Sequence, residues 1–200
     1  AIAAASEDEL RGLEGIAAKT YYGVFDRMIR SNEQPMHFHG RSKRPPEDCC
    51  NILLSLAYTT MASDCLSALE ATGLDPYVGL LHGDRPGKPA LALDLMEEFR
   101  ADFCDRLVLR LINLGTINAE MFHDEDGQLF ISKQGLKKFY TFYIRQRNRE
   151  IYLPELKKKV PAGLLPHLQA GKLAKAITDD EEYTPYYARE GKGNDDCDCL

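Results

Sequence analysis

"ALALDLMEEFRADFCDRLVLRLINL", residues 90–114, decides what kind of chain this is. At 100° per residue, Leu95, Met96, Phe99 and Phe103 share one face, and Asp94, Glu97, Glu98 and Asp105 share the opposite one. That is the period of an amphipathic helix. Asp94 with Glu98 and Asp94 with Glu97 are like-charge pairs at i,i+4 and i,i+3, which repel one another weakly. A solvated helix face accommodates them, and the helix dipole offsets part of the repulsion in the first turns. A divalent cation would reverse its sign. On this helix alone both readings stay open.

The same period runs outward in both directions. Residues 6–30 open with Ser6 and Glu9 at capping-box spacing, followed by an apolar stripe of Leu10, Leu13, Ala17, Tyr21, Val24 and Met28. Residues 31–47 form a polar, proline-bearing loop. Asp48 is placed to cap a second helix that ends near Thr72, with Gly73 in the stop position. "DEDGQLFIS", 124–132, suggests a small hairpin or a turn. Helix is expected again from about Lys133 to Tyr152 and from about Gly163 to Ile177. The expected fold class is mainly α, with a helical domain over residues 1–177 and an acidic, flexible tail over 178–200.

Charge divides along the chain. The whole carries −6, which gives no encouragement for nucleic-acid binding. Residues 133–160 hold nine Lys or Arg against two Glu, and residues 178–200 hold eight acids against two bases. The remainder is close to neutral with one strongly basic segment. No uninterrupted apolar run has the length of a membrane span, and no basic-then-apolar leader opens the chain, so neither a membrane nor secretion is expected. The six cysteines form no CxxC pair and suit a reducing cytoplasm. The terminal "CDCL" only loosely mimics a prenylation box. The first residue is Ala, and the chain reads as a part of something longer.

Three side chains carry possible chemistry. Glu14 lies within the stripe of Leu10, Ala17, Tyr21 and Phe25, the wrong face for an unpaired carboxylate. Either it reaches solvent or a Tyr or Arg, or it is a ligand. His82 stands at the lip of a Pro-Gly turn, just before the helix that bears Glu97. Two carboxylates and one imidazole from three segments suit Mg²⁺ or Mn²⁺ with open water positions better than a closed zinc site. Spacing alone does not bring them together. In the basic segment, Lys and Arg alternate with Phe139, Tyr140, Phe142, Tyr143 and Tyr152, either as a surface for phosphates and bases or as a helix with an aromatic core side.

Five ordered motifs then carry a family resemblance: "RGLEGIAAKTYY" (11–22), "CNILLSLAY" (50–58), "LDPYVGLLHGDRPGKPALALDLMEEFR" (74–100), "DRLVLRLIN" (105–113) and "GLLPHLQA" (163–170). Together they resemble the C-terminal helical lobe of Cas1, the CRISPR adaptation integrase, in wording nearest the type I-C kind. The resemblance implies a helical lobe whose N-terminal β-rich domain is absent from this chain. It implies one Mg²⁺ or Mn²⁺ site on Glu14, His82 and Glu97, with Asp94 auxiliary. Arg85 and Arg100 match basic positions near the reacting phosphate, with Arg100 counted among the catalytic residues. Asn51 and Tyr58 match the polar "N…Y" positions and are counted, with Arg85 and Arg100, among the implied DNA-binding residues. Arg145, Arg147 and Arg149 are DNA-contact candidates from the basic segment.

The implied reaction is attack of a DNA 3′-hydroxyl on a phosphodiester at the leader–repeat junction, in the prokaryotic cytoplasm. Cas2 is the implied partner and Cas4 a further candidate, with a homodimer in the full-length protein. The alternatives are a metal-dependent nuclease that does not integrate, and a non-catalytic helical interaction module.

Overall fold

The computed structural model describes residues 7–42, 45–81 and 86–187. His82, Arg85, Ser6, Cys197 and Cys199 lie outside them. The order is α1 (Glu7–Phe25), α2 (Cys49–Thr72), α3 (Ala90–Phe99), a π-helical turn (Arg100–Asp105), α4 (Arg106–Asn113), β1 (Phe122–Glu125), β2 (Gln128–Ile131), α5 (Lys133–Asn148), β3 (Glu150–Leu153), β4 (Lys158–Pro161) and α6 (Leu165–Asp179), with short 3₁₀ turns between. The fold is mainly α, and its two sheets are separate antiparallel hairpins.

α2 is the axis of the core. Asp48 caps it by accepting from Asn51 N, and Gly73, at φ +81°, ends it in the left-handed region. Leu53, Leu54, Ala57, Met61, Cys65, Ala68 and Leu69 are buried along it, and α3, the π turn, α4 and α6 pack around it. Each large side chain buried this way contributes about 1.5–3 kcal/mol. α2 is also long and apolar enough, by length and composition, to cross a membrane. Asn51, Ser55 and Asp64 interrupt its apolar run, so a search for unbroken apolar residues passes over it. Its apolar surface is met here by other helices.

α1 differs from its expected stripe. Only its last turns dock: Phe25 is buried and Tyr21 and Tyr22 pack against the core, while Leu10, Ala17 and Val24 are exposed and Ile16 is 67% exposed. Glu14 is therefore an exposed carboxylate rather than a buried one.

The π turn corrects a second expectation. A π segment inserts an extra residue into the turn and rotates the residues beyond it by about 100° relative to an unbroken α-helix. Asp105, expected on the wet face with Asp94, is instead 1% exposed.

The β1–β2 hairpin turns on Asp126 and Gly127, with φ of +55° and +80°, the backbone that an Asp-Gly pair favours. The next helix stops at Asn148 rather than Tyr152. Arg149 is extended, and its carbonyl accepts from Ala162 N at 2.9 Å, closing the base of the β3–β4 hairpin. In that hairpin Ile151 pairs with Val160 and Tyr152 with Lys159.

The stretch expected to be tail begins as helix, since α6 runs to Asp179, and then folds back. Glu98 accepts from Tyr183 OH, from Tyr186 N at 2.7 Å and from Gln169 Nε2 at 2.9 Å. The Tyr186 ring lies 5.7 Å from that of Phe99. Residues 188–200 lie outside the described part.

Among the described residues, Cys49, Cys50, Cys65 and Cys104 are free and buried. Burial, with the nearby Asp48 charge, pushes the Cys49 thiol up to about 12, and burial raises the other three as well. At pH 8 these thiols should hold almost no thiolate and resist iodoacetamide until the chain is unfolded by denaturant. Peptide-resolved mass spectrometry checks this, and rapid native labelling of all four would contradict the packing described.

Candidate active site

Three helices converge on one buried carboxylate. Asp105 accepts from Tyr58 OH on α2 and, at 2.8 Å, from Tyr21 OH on α1. Burial raises its pKa, opposed by those two hydrogen bonds and by the charges of Arg100 and Arg41. The Tyr58 hydroxyl has one proton, committed to Asp105, so its oxygen accepts from Tyr22 OH at 2.7 Å. Burial and the Asp105 charge push the Tyr58 phenol far above its ordinary value, which keeps it a donor.

Above this network lies a cleft of about 550 Å³, lined by Glu14, Ala18, Lys19, Tyr22 and Gly23 from α1, Gly40 and Arg41 from the following loop, Tyr58 from α2 and Arg100 from the π turn. Three basic side chains face one carboxylate there, so a chain that is acidic overall carries a locally positive cleft. The guanidinium carbons of Arg41 and Arg100 sit 5.3 and 5.2 Å from the Tyr58 ring centroid.

Arg41 is placed by Asn51, which is 0% exposed. Asn51 Oδ1 accepts from Arg41 Nη1 at 2.7 Å and Ser42 N at 3.1 Å, while its Nδ2 donates to Gly40 O and Asp48 Oδ2, both at 2.7 Å. The Nε atoms of Arg41 and Arg100 are both buried without a partner among the described residues. A buried unpaired donor costs about 1–3 kcal/mol, so two beside one cleft are a strong feature of this site.

The loop that leads to His82 is tied from both sides. Arg11 Nε donates to Leu81 O at 2.9 Å, and Asp94 Oδ2 accepts from Leu80 N at 2.6 Å and Leu81 N at 3.0 Å. Arg11 lies three residues before Glu14, and Asp94 three before Glu97. The residue next to His82 is thus pinned between the faces that carry the other two candidate ligands. Glu97 is half-buried and ion-paired with Arg100 Nη2.

The expected site residues therefore divide. Glu14, Tyr58 and Arg100 line one cleft, and Glu97 joins it through Arg100. His82 and Arg85 lie outside the described residues, and among the described residues no group of three or more His, Cys, Asp or Glu is close enough to hold a metal. Asp94 serves as a loop anchor. Asn51 is too deeply buried to touch DNA and acts by holding Arg41. Arg145 stacks over Phe142 at 5.0 Å and is exposed, as is Arg149. Arg147 is committed to Asp64 at 3.1 Å, which also accepts from Tyr143 OH at 2.7 Å. Of the interleaved aromatics, Phe139 and Tyr143 are core, and Tyr140 and Tyr152 are exposed. Arg11, Lys19, Tyr21, Tyr22, Arg41 and Asp105 escaped the sequence reading. Arg11, Lys19, Tyr21 and Tyr22 stand inside the quoted "RGLEGIAAKTYY" motif, which is the signal that could have found them.

Residues 2–145 match the family profile described as CRISPR associated protein Cas1. The chain belongs to the Cas1 family. It is 46% identical over 188 residues to "CRISPR-associated endonuclease Cas1 1" of Chlorobaculum tepidum, covering 93% of this chain and 55% of that Cas1 protein. It is 43% identical to the Cas1 endonuclease of Leptospira interrogans, covering 90% and 71%. A Cas4 exonuclease/Cas1 endonuclease fusion of Geobacter sulfurreducens is 36% identical over 90% of this chain and 33% of the fusion. Among solved structures, a casposase bound to integration product superposes with a TM-score of 0.83 at 26% identity, over 96% of this chain and 54% of the casposase. A chain of a Cas6-RT-Cas1–Cas2 complex gives 0.80 at 26%, over 92% of this chain and 20% of that one. This Cas1 lobe thus spans about half the length of several relatives that it matches.

Replacing Asn51 by Leu keeps the branched shape but removes one hydrogen-bond partner from each of Asp48, Gly40 O, Ser42 N and Arg41. Unfolding free energy from urea titration should fall by about 3 kcal/mol or more, the cost of several buried groups left unpaired. A side chain whose role was to touch DNA would leave stability unchanged.

Proposed function

We propose that this lobe is the catalytic part of a Cas1 integrase of the type I-C kind. A DNA 3′-hydroxyl attacks a phosphodiester at the leader–repeat junction; a new P–O bond forms as the bond to the 3′-oxygen of the cut strand breaks, that oxygen leaves as a hydroxyl, and spacer DNA is so inserted into a CRISPR array. The observation that carries the reading is the double tether on Leu81. It holds Leu81, the residue before His82, between the faces that carry Glu14 and Glu97, and Glu14 also lines the cleft that bears Lys19, Arg41 and Arg100. The catalytic unit lies within residues 1–177, with the Tyr183–Tyr186 strap packed onto it.

The donor set suits a hard divalent ion, Mg²⁺ or Mn²⁺: Glu14 is an accessible carboxylate, and Glu97 already faces a cation in Arg100. Glu14, His82 and Glu97 would hold it, and it would supply Lewis-acid polarisation of the phosphoryl oxygens and a more acidic attacking hydroxyl. The protein's own groups do the rest. Arg100, fixed between Glu97 and Tyr58, offers guanidinium donors where negative charge grows on the phosphate. Asp94 and Arg11 hold Leu80 and Leu81, the residues that lead to position 82. Arg145 and Arg149 add phosphate contacts away from the chemistry. Cas2 is the proposed partner, by likeness to the Cas1–Cas2 assembly, and Cas4 a further one, by likeness to the fusion. The full-length protein is proposed to dimerise and to act in the prokaryotic cytoplasm.

Glu14→Gln should reduce Mn²⁺-dependent strand transfer into a leader–repeat duplex, assayed with Cas2, by at least about a hundredfold. Its melting temperature without metal should stay near that of the wild type, because Glu14 is exposed. Retained joining removes Glu14 from the site; cutting without joining would reduce the reading to a nuclease.

Neutralising Arg145 and Arg149 together should weaken binding to any duplex sequence alike and flatten log Kd against log salt by roughly 0.9 per lost phosphate contact. Arg147→Gln should instead lower the melting temperature, through the loss of its bond to Asp64. Fluorescence anisotropy across a salt series distinguishes the two behaviours.

A further inference from the structure

The chain beyond α6 returns to the helix that carries Glu97. α6 ends at Asp179, and Asp180, at φ +56°, takes the backbone through the left-handed region. The segment that follows ends on the last turn of α3. Glu98 Oε1 accepts from Tyr183 OH, and Glu98 Oε2 accepts from Tyr186 N at 2.7 Å and Gln169 Nε2 at 2.9 Å. Gln169, 2% exposed on α6, also donates to Thr184 O at 3.2 Å, so helix and strap meet the carboxylate together. Burial, and then the bond to Glu98, push the Tyr183 phenol above its ordinary value, which keeps it a donor. The three donors on Glu98 are neutral and directional. They fix where the side chain points without discharging it.

Glu98 is the residue after Glu97, turned about 100° around the helix. Phe99 follows, under the ring of Tyr186, and Arg100 opens the π turn. A π turn is a rarely adopted winding, and here the residues on both sides of it are held. Downstream, Asp105 is held by Tyr21 and Tyr58. Upstream, Glu98 and Phe99 are held by the strap and Gln169. Neither Glu98 nor the strap lines the cleft, and the strap lies beyond residue 145, where the family match ends.

We infer that Tyr183 and Tyr186 are positioning residues for the reaction centre: through Glu98 and Phe99 they hold the last turn of α3 in the rotation that sets Glu97 and Arg100 beside the cleft. The inference rests on the reading of Glu97 as a metal ligand. The strap touches neither substrate nor metal. It acts by denying α3 the freedom to rewind into the turn that follows it.

Binding of Mn²⁺ alone tests this, measured without DNA from the loss of the free-ion electron paramagnetic resonance signal. Four forms of the full-length protein are compared: the intact chain, one ending at Tyr187, one ending at Glu181 and Tyr183→Phe. The form ending at Tyr187 keeps the strap and should bind as the intact chain does. The form ending at Glu181 should bind about tenfold more weakly, the loss typical when a group that orients a ligand is removed. Tyr183→Phe, which keeps the ring and loses only the hydroxyl, should fall between them and carries the test if the shortened chain does not fold. Amide exchange over residues 98–106, followed without metal, should quicken in the same order.

A strap variant that melts earlier yet binds Mn²⁺ as tightly as the intact chain makes the strap a stabiliser only and overturns the inference. Glu14→Gln separates this failure from that of the ligand reading. If it abolishes Mn²⁺ binding while the strap variants retain it, the ligands stand and the strap inference fails. If Glu14→Gln leaves Mn²⁺ binding unchanged, the ligand reading fails and exchange decides: quickening confined to 98–106 upholds the hold on α3, and unchanged exchange overturns it.

Discussion

A carboxylate with almost no access to water must be met by donors, or it will not stay charged. Asp105 is met by two phenols, from α1 and α2, and by the fields of two arginines. That requirement fixes the relation of three helices at once. α1 must cross with Tyr21 facing inward, α2 must present Tyr58 at the same level, and the helix from Ala90 must change its winding to turn Asp105 toward them. Arg100 begins that change of winding, so the same turn that buries the acid sets a guanidinium over Tyr58 and beside Glu97. The cleft is the outer surface of this junction.

The arrangement also reconciles an acidic chain with a polyanionic substrate. Local field follows the nearest charges rather than the sum over the chain. Lys19, Arg41 and Arg100 converge on the cleft. Some of the acids face away from it, with Glu98 occupied by the Tyr183–Tyr186 strap and Asp64 by Arg147 and Tyr143. Arg41 is held by neutral acceptors and an aromatic ring, whereas Arg100 is paired with Glu97.

Much of the helical fold was legible because its signals are local. The Asp48 cap, the Gly73 stop and the Asp-Gly hairpin are set by backbone chemistry within a few residues. The family motifs directed attention to Glu14, Tyr58 and Arg100 on the cleft. What escaped depends on tertiary partners. Counting 100° per residue put Asp105 in water because periodicity does not reveal a π turn. The β3–β4 hairpin sits in a Lys-rich stretch whose composition favours helix, and its pairing of Ile151 with Val160 spans a turn with no Asn-Gly or Asp-Gly signal. Tyr183 and Tyr186 were masked by acidic neighbours, and their partner Glu98 lies 85 positions from the first of them. Arg41 sits in a polar loop whose order comes from a buried Asn ten residues later.

A π turn is what a helix does with one residue too many. Heredity can therefore reach this feature in a single event. Loss of one codon between positions 100 and 105 would let the segment close into regular α-helix without disturbing either flank's own hydrogen bonding, while swinging Asp105 away from Tyr21 and Tyr58. The same event, read in an alignment, would look like a trivial one-column gap in an otherwise continuous helix. In this lineage such a gap would mark the gain or loss of the floor on which the cleft is built.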